Sequence, residues 1–477
     1  MKSKIIFLLL ALTLASACVK DPVPTDDSGE TDWPEDTRYY ANMFAFNMMN
    51  GYYLWRDEVL DGIKDWTNKE DPVQKVFDLR YKDGSGRLVD QWTQLMEDVR
   101  PFQGSVTGNT KSFGFDFVLY YADEEHSRVC AVVTYTYAGS PASRMLKRGD
   151  VILTLDGTEM TPDNYKDLIQ GKIYNNGGTV TLGIRDGGST TITAQEMYED
   201  PVHTARSFNW EGRQIGYLHY TGFTLRSAAD LEQVFRDFGN AGVEELVLDL
   251  RYNGGGYMTT CTCLASLIAP ADLLDKEVFI KEVYNSHFDD EDTLFQGSIK
   301  VNDGTSTHTI DALGIHSFLN FRRIWVIMSG YTASASETLI CGLKPYMDVR
   351  TVGERSHGKF CGGYLIDSEM FYTSLSRQDG NDVDCDAAIS ATENWGIYVI
   401  SSRYSDCNGV TLSMPEGIPA DYEAHDDPLD GFALGDPSET MLAATLALIS
   451  GQGTKAPSAP APVALPFHRP GFGALLR

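Results

Sequence analysis

Between Thr37 and Val99 the apolar positions fall at helical spacing: Tyr40, Phe44, Met48, Tyr52 and Trp55 lie four and three residues apart, and a second segment runs from Val73 to Tyr81. This predicts a small helical domain over residues 37–105 with the aromatic stripe as its core. From Ser112 the texture changes to strands, Phe113-Gly114-Phe115-Asp116-Phe117-Val118-Leu119 and Val129-Cys130-Ala131-Val132-Val133. The run from Gly139 to Gly157 then reads as turn, short helix, turn, strand and a tight Asp156-Gly157 turn, giving a compact β-rich module over residues 106–200. Beyond Thr204 strands and helices alternate. Ile215–Leu218 is a strand, Ser227 caps a helix with Leu231, Val234, Phe235 and Phe238 on one face, and Leu246–Leu250 is a buried strand. The alternation predicts an α/β core over residues 201–452. Asp436-Pro437-Ser438-Glu439 supplies an N-cap, a proline at the first helical position and an acid at N3 for a last helix with Met441, Leu442, Thr445, Leu446 and Ile449. After Gly453, five prolines within 25 residues predict a disordered tail over residues 453–477.

A chain of 477 residues has room for two or three domains, and 42% hydrophobic with 22% charged residues fits neither wholesale disorder nor a polytopic membrane protein. The net charge of −28 sets up a field that repels phosphate backbones, so nucleic acid is excluded as a partner. Two lysines precede the small-or-apolar run Ile5–Ala17, and Ala15-Ser16-Ala17 leads to Cys18. As a helix that run rises only about 20 Å, short of a hydrocarbon core of roughly 30 Å. The reading is a cleaved signal peptide over residues 1–17, with Cys18 as a lipidated N-terminus and residues 18–36 as a disordered acidic tether. The acidic stretch after Cys18 resembles the surface-export signals of Bacteroidetes lipoproteins. A cell-envelope lipoprotein of the outer membrane is therefore expected, facing the periplasm or the surface and held only by acyl chains. An ordinary secretory signal cut near Cys18 is the alternative. The other seven cysteines are scattered and odd in number, which implies no disulfide scaffold. Cys261-x-Cys263 lacks a second ligand pair, and neither metal nor cofactor is expected.

Two segments carry candidate chemistry. Leu246–Leu250 runs into Arg251-Tyr252-Asn253-Gly254-Gly255-Gly256, where consecutive glycines let backbone amides approach a ligand as an oxyanion hole requires. The strand Arg323–Met328 leads through Ser329-Gly330-Tyr331-Thr332-Ala333 to Ser334-Ala335-Ser336-Glu337 at the start of a helix, an exposed-hydroxyl geometry suited to a nucleophile. Lys359, in Val352-Gly353-Glu354-Arg355-Ser356-His357-Gly358-Lys359, stands 25 residues past Ser334 and could serve as its base.

Together these segments resemble the C-terminal processing peptidases, or tail-specific proteases. The resemblance implies a ClpP/crotonase-like α/β core, a PDZ domain and a helical N-terminal domain. It places the nucleophile on Ser334, the general base on Lys359 and the oxyanion hole on the amides of Gly255 and Ala335. Gly139–Gly157 likewise resembles bacterial PDZ domains, which puts Phe113, Gly114 and Phe115 in the loop that holds a peptide's terminal carboxylate. The implied function is hydrolysis of exported polypeptides by a Ser-Lys dyad, with recognition of their C-termini. Many members carry a glutamine where this chain has Gly363 and an aspartate where it has Pro345. The run around Lys359 looks instead like a Bacteroidetes lipoprotein subgroup. Four alternatives stay open: a triad through His357 and Asp348, Ser336 as nucleophile, a nucleotide loop at Gly353-x4-Gly358-Lys359, and a catalytically silent peptide-binding lipoprotein. The loop reading is opposed by Phe360, which stands where a magnesium-ligating hydroxyl belongs.

Overall fold

The computed structural model describes residues 33–174, 177–321, 323–411, 414, 416–452, 465 and 467–476. The expected signal peptide, Cys18 and most of the acidic tether lie outside them. A six-stranded sheet organises the α/β core. Val202–Trp210 pairs antiparallel with Arg213–Tyr220, after which Glu245–Asp249, Arg323–Met328, Asp348–Gly353 and Tyr422–Glu423 follow in parallel and in chain order. Parallel strands need crossovers, so both faces become covered, and the middles of the two central strands, Leu246–Leu248 and Ile324–Met328, are apolar. Leu246 and Leu248 enter one core with Leu231, Phe235 and Phe238 of the helix Ser227–Asn240, while Val247 faces the opposite way, toward Met441, Leu442 and Leu446. Truncating any of these leucines to alanine removes about 2–5 kcal/mol.

The last helix spans Thr440–Ile449 and starts later than its proline predicted. The Glu439 carboxylate accepts from the Leu442 amide at 3.0 Å, whereas Asp436 is spent on the Ser438 amide at 2.8 Å in the preceding turn. The first helix, Glu35–Tyr52, opens on Pro34, inside the stretch read as tether. Its buried Phe44, Ala45 and Met49 share one cluster with Ile397, Tyr398 and Val399 of the strand Gly396–Ser405. The N-terminal helices thus cover a second sheet, in which Cys361–Asp367, Gly396–Ser405 and Val278–Tyr284 run antiparallel.

Residues 465 and 467–476 correct the expectation of a disordered tail. Leu475–Leu476 forms a short strand between Gly256–Tyr257 and Cys361–Asp367, with Ala474, Leu475 and Leu476 buried. Proline density marked the stretch as unable to form a regular element. It missed that Gly471 to Leu476 is apolar enough to be covered by the rest of the protein.

The β-rich module is an antiparallel sheet in the order Phe115–Tyr121, Val129–Thr136, Val151–Leu155, Thr179–Ile184, Gly188–Thr193. Gly114 has φ +80°, and a Cβ there would lie 2.2 Å from Ser140 Cβ, so only glycine fits the loop entering the first strand.

Candidate active site

Three neighbouring parallel strands end on the same side of the central sheet, and each delivers one part of the site. Glu245–Asp249 runs into the glycines 254–256, Arg323–Met328 into Ser334, and Asp348–Gly353 into Lys359. Ligand sites of open α/β sheets lie at these carboxyl ends, because the crossovers leave a crevice there.

Ser334 is fully buried and has φ +59°, a strained conformation for a residue with a Cβ. It immediately precedes the helix Ala335–Leu343, whose first amide, that of Ala335, has no partner within the helix. What fixes Ser334 and Lys359 relative to each other is Glu337. Its Oε2 accepts from the Ser334 amide at 2.8 Å and from the Lys359 amide at 2.9 Å, and its Oε1 accepts from the Gly358 amide at 2.7 Å and from the Ser356 hydroxyl. Burial pushes the Glu337 carboxyl up to about 7, against these donors, which favour the anion. Tyr404 donates to the Lys359 carbonyl at 2.6 Å, with the Ser334 carbonyl 3.2 Å from the same hydroxyl.

Lys359 is fully buried, and burial lowers its ammonium to about 8. Its Nζ donates to Tyr398 Oη at 2.8 Å and to the Gly473 carbonyl, and lies over the rings of Tyr398 and Trp92 at 4.9 and 5.3 Å. Ser334 Oγ, by contrast, has no hydrogen-bond partner. Ser334 and Lys359 are thus held by one carboxylate, with the Lys359 amine bonded to Tyr398 and Gly473. Gly363 leaves no room for a side chain, since a Cβ would lie 2.3 Å from the Val399 carbonyl oxygen, and the neighbouring strand supplies Tyr398 to the amine.

Of the two amides expected at an oxyanion hole, that of Gly255 donates to Asn253 Oδ1 at 2.9 Å. The Gly256 amide instead donates to the Ala474 carbonyl at 2.7 Å. A Cβ on Gly255 would stand 2.6 Å from that carbonyl oxygen and 2.9 Å from Ser334 Cβ, while one on Gly256 would strike the Phe223 backbone at 2.4 Å. The loop is anchored behind by Arg251, which is buried and bonded to Asp249, Asp426 and Glu439 at 2.6–3.1 Å. Arg148 of the β-rich module reaches the same cluster, at 2.7 Å from Asp426 and 2.9 Å from Tyr252.

His357 packs against the rings of Phe472, His468 and Trp92, and burial and the Lys359 charge lower its pKa. Ser336 donates to the Asn253 carbonyl at 3.2 Å and belongs to the helix. Phe113 is buried in the core of the β-rich module, Phe115 packs against that core, and the Gly114 amide donates to Ser112 Oγ at 2.8 Å. Asp116, Phe117, Val118 and Tyr174 of the module line a small cavity together with Tyr252, Tyr331 and Phe472. Among the described residues no cluster of histidine, cysteine, aspartate and glutamate could hold a metal ion. Sequence reasoning missed Glu337, although Ser334-x-x-Glu337 is a capping-box spacing that could have flagged it. It also missed Tyr398, Tyr404 and Trp92, which carry no local signal.

The model of peptidase family S41 matches residues 214–423, the stretch that contains all three strand ends. These residues are similar to the S41 peptidases. The chain is 26% identical over 367 residues to the chloroplastic C-terminal processing peptidase of Tetradesmus obliquus, covering 70% of this chain and 68% of that one. It is 24% identical over 301 residues to the carboxy-terminal processing protease CtpA of Bacillus subtilis, covering 61% and 58%. It is also 27% identical over 267 residues to carboxyl-terminal-processing peptidase 2 of Arabidopsis thaliana chloroplasts, covering 54% of this chain but 46% of that one. The chain therefore spans between about half and two thirds of the length of these curated relatives. The crystal structure of an S41 protease from Bacteroides fragilis superposes with a TM-score of 0.63 at 21% identity, covering 91% of this chain and all of that one, so the S41 fold is shared.

Proposed function

We propose that the protein is an endopeptidase of exported polypeptides in which Ser334 is the nucleophile and Lys359 the general base. The observation that carries this reading is the burial of the Lys359 amine, with a lowered pKa, in the pocket where three strand ends deliver Ser334 and the glycine loop. A lysine at its usual value near 10.4 is almost fully protonated at neutral pH and accepts nothing. At about 8 a useful fraction is neutral. Once its amine turns from Gly473 to Ser334 Oγ, Lys359 takes the hydroxyl proton as the oxygen attacks the scissile carbonyl. The developing oxyanion meets the Ala335 amide, with Gly256 as the second donor in this reading: the Gly255 amide is held by Asn253 Oδ1, whereas the Gly256 amide becomes free once the Ala474 carbonyl leaves it. Lys359 then hands its proton to the leaving amine, and its free amine activates the water that releases the acyl group. The fold that supports this is shared with S41 proteases, and the relatives named above process C-termini, which supports substrates recognised near their C-terminal ends. In the same reading the module over residues 106–200 is PDZ-like and delivers the peptide, and Cys18 anchors the protein in the cell envelope.

Cleavage of an unfolded casein, lost in Ser334→Ala and Lys359→Ala and largely kept in His357→Ala, is the expected result. Activity in Lys359→Ala with none in His357→Ala would overturn the dyad. Peptides with a free terminal carboxylate should be cleaved faster than their amidated forms, and Cys18→Ser should leave the membrane fraction. A silent peptide-binding protein is the second reading, favoured by the unpartnered Ser334 Oγ. It predicts tight peptide binding with no turnover in the native chain or in any variant.

A further inference from the structure

The segment read as tail threads the whole path from the β-rich module to the catalytic pocket. At its start the Leu465 amide donates to the Leu119 carbonyl at 2.9 Å, and Phe467 stacks near Phe117 and Tyr174, with centroids 6.4 and 5.8 Å apart. Arg469 follows, 3.9 Å from both Asp116 and Glu199. Phe472 then stacks on His468 at 4.0 Å and meets His357 edge-on at 5.0 Å. Gly473 gives its carbonyl to Lys359, and Ala474 gives its carbonyl to the Gly256 amide beside Ser334. Leu475 and Leu476 finally pair with Gly256 and Tyr257 as an added parallel strand, Leu475 also bonding Tyr398 Oη at 3.2 Å. Strand addition with side chains in successive pockets is how sheet-edge sites bind extended peptides.

Resting on the peptidase reading above, we propose that residues 467–476 are a tethered peptide seated in the substrate path. They lower the enzyme's activity in cis by competing with substrate, and the polypeptides the site takes share their pattern of an aromatic, a cation, an aromatic, two small residues and two leucines. The geometry supplies each element of that pattern. The acidic pair Asp116 and Glu199 selects the cation. Gly473 lies at φ +74°, and its position is backed at 3.4 Å by Lys359 Cδ, which leaves little room there. The Ala474 side chain is buried beside the glycine loop, and both leucines are buried in the second sheet. The lowered activity follows from the hydrogen bonds. While Lys359 Nζ is held by Gly473 and Tyr398, it is not paired with Ser334 Oγ, and the slot between Gly256–Tyr257 and Cys361–Asp367 that would take a substrate strand is already filled. A tethered occupant needs little intrinsic affinity, because its effective concentration is on the order of millimolar.

The test uses the full chain, a second full chain carrying Arg469→Glu and Ala474→Trp, and a third lacking residues 465–477, with thermal melts to show that each folds. Hydrolysis of unfolded casein should be at least tenfold more efficient in both altered chains, chiefly through a lower KM. The synthetic decapeptide Phe-His-Arg-Pro-Gly-Phe-Gly-Ala-Leu-Leu, blocked at both ends, should inhibit them competitively. Its fluorescein-labelled form should bind the Ser334→Ala version of the shortened chain and not the Ser334→Ala full chain. Equal efficiency of all three active chains, or no binding of the labelled peptide, overturns the proposal. Binding of the peptide to the shortened chain alone, with no hydrolysis by any chain, supports the tethered occupant and sinks the peptidase reading instead.

Discussion

Arg251 and Lys359 are both fully buried cations at the carboxyl end of one sheet, and their surroundings make them opposite in use. Arg251 is ringed by Asp249, Asp426 and Glu439, and these carboxylates outweigh burial and hold the guanidinium charged, far above its ordinary value. Lys359 is bonded to a phenol and a carbonyl and to no carboxylate, so burial prevails and its pKa falls to about 8. The guanidinium fork suits a fixed anchor, since it fills several acceptors at once and never deprotonates, whereas an ammonium is easily shifted by burial. Burial alone therefore does not mark a reactive group. The number of carboxylates in bonding range decides whether the buried cation is held charged or becomes easy to deprotonate.

The largest expected effect removes the proposed nucleophile or base. Lys359→Ala and Ser334→Ala should each lower kcat/KM by at least about 1,000-fold, read by single-turnover hydrolysis of casein or a quenched peptide. Lys359→Met should at the same time raise stability. The folded pKa of about 8 lies below the ordinary lysine value of 10.5, so between these pH values the unfolded chain binds the extra proton and stability rises with pH. Below pH 8 the buried ammonium carries the full penalty, about 3 kcal/mol for a shift of this size. Denaturant melts of Lys359→Met should show a gain of up to that amount at pH 7 and a flatter profile above pH 8. Unchanged stability at pH 7 would mean that Lys359 is better compensated than its partners suggest, and the contrast with Arg251 would fail.

The second effect removes the fixed anchor. Arg251→Met keeps bulk yet leaves Asp249 and Glu439 buried beside one remaining cation, Arg148, whose nearest contact to Glu439 is 3.5 Å. Breaking a buried ion cluster from one side costs about 3–5 kcal/mol, and thermal melts should show a loss of that order. Activity should fall with it, because the loop carrying Gly255 and Gly256 begins at Arg251. Arg148→Ala should give a smaller loss, and would show how much the β-rich module steadies the loop.

Legibility followed how local the cause was. Ser334 and Lys359 were readable because each stands at a strand-to-turn junction with glycines and small residues around it, and the apolar runs Leu246–Leu250 and Arg323–Met328 announced buried strands directly. The Arg251 cluster was not readable, since Asp426 and Glu439 lie 175 and 188 residues away and nothing near them marks a partner. Tyr398 and Trp92 meet Lys359 only through tertiary packing. The segment 467–476 was misread for a different reason. Proline content forbids a helix or a central strand, but it says nothing about a two-residue strand seated between others.

Glu337 gives the smallest expected effect and the sharpest one. It accepts the amides of both Ser334 and Lys359, and its negative charge also raises the Lys359 pKa against burial. In the native enzyme kcat/KM should climb with pH through about 8 as the amine loses its proton. The Glu337 carboxyl, pushed up to about 7 by burial, loses its own proton at the foot of that climb and is mostly ionised over its upper part. Glu337→Gln keeps the shape but turns one acceptor oxygen into a donor that faces the donors it used to receive, which should lower kcat about tenfold. With the negative charge gone, the ammonium is easier to deprotonate, and the climb should move to lower pH by less than one unit. A pH profile separates the two contributions. A tenfold loss with the limb unmoved would make Glu337 a bracket for the backbone only, whereas the shift toward acid shows that the anion also sets the basicity of the one buried cation the site leaves without a bonded carboxylate.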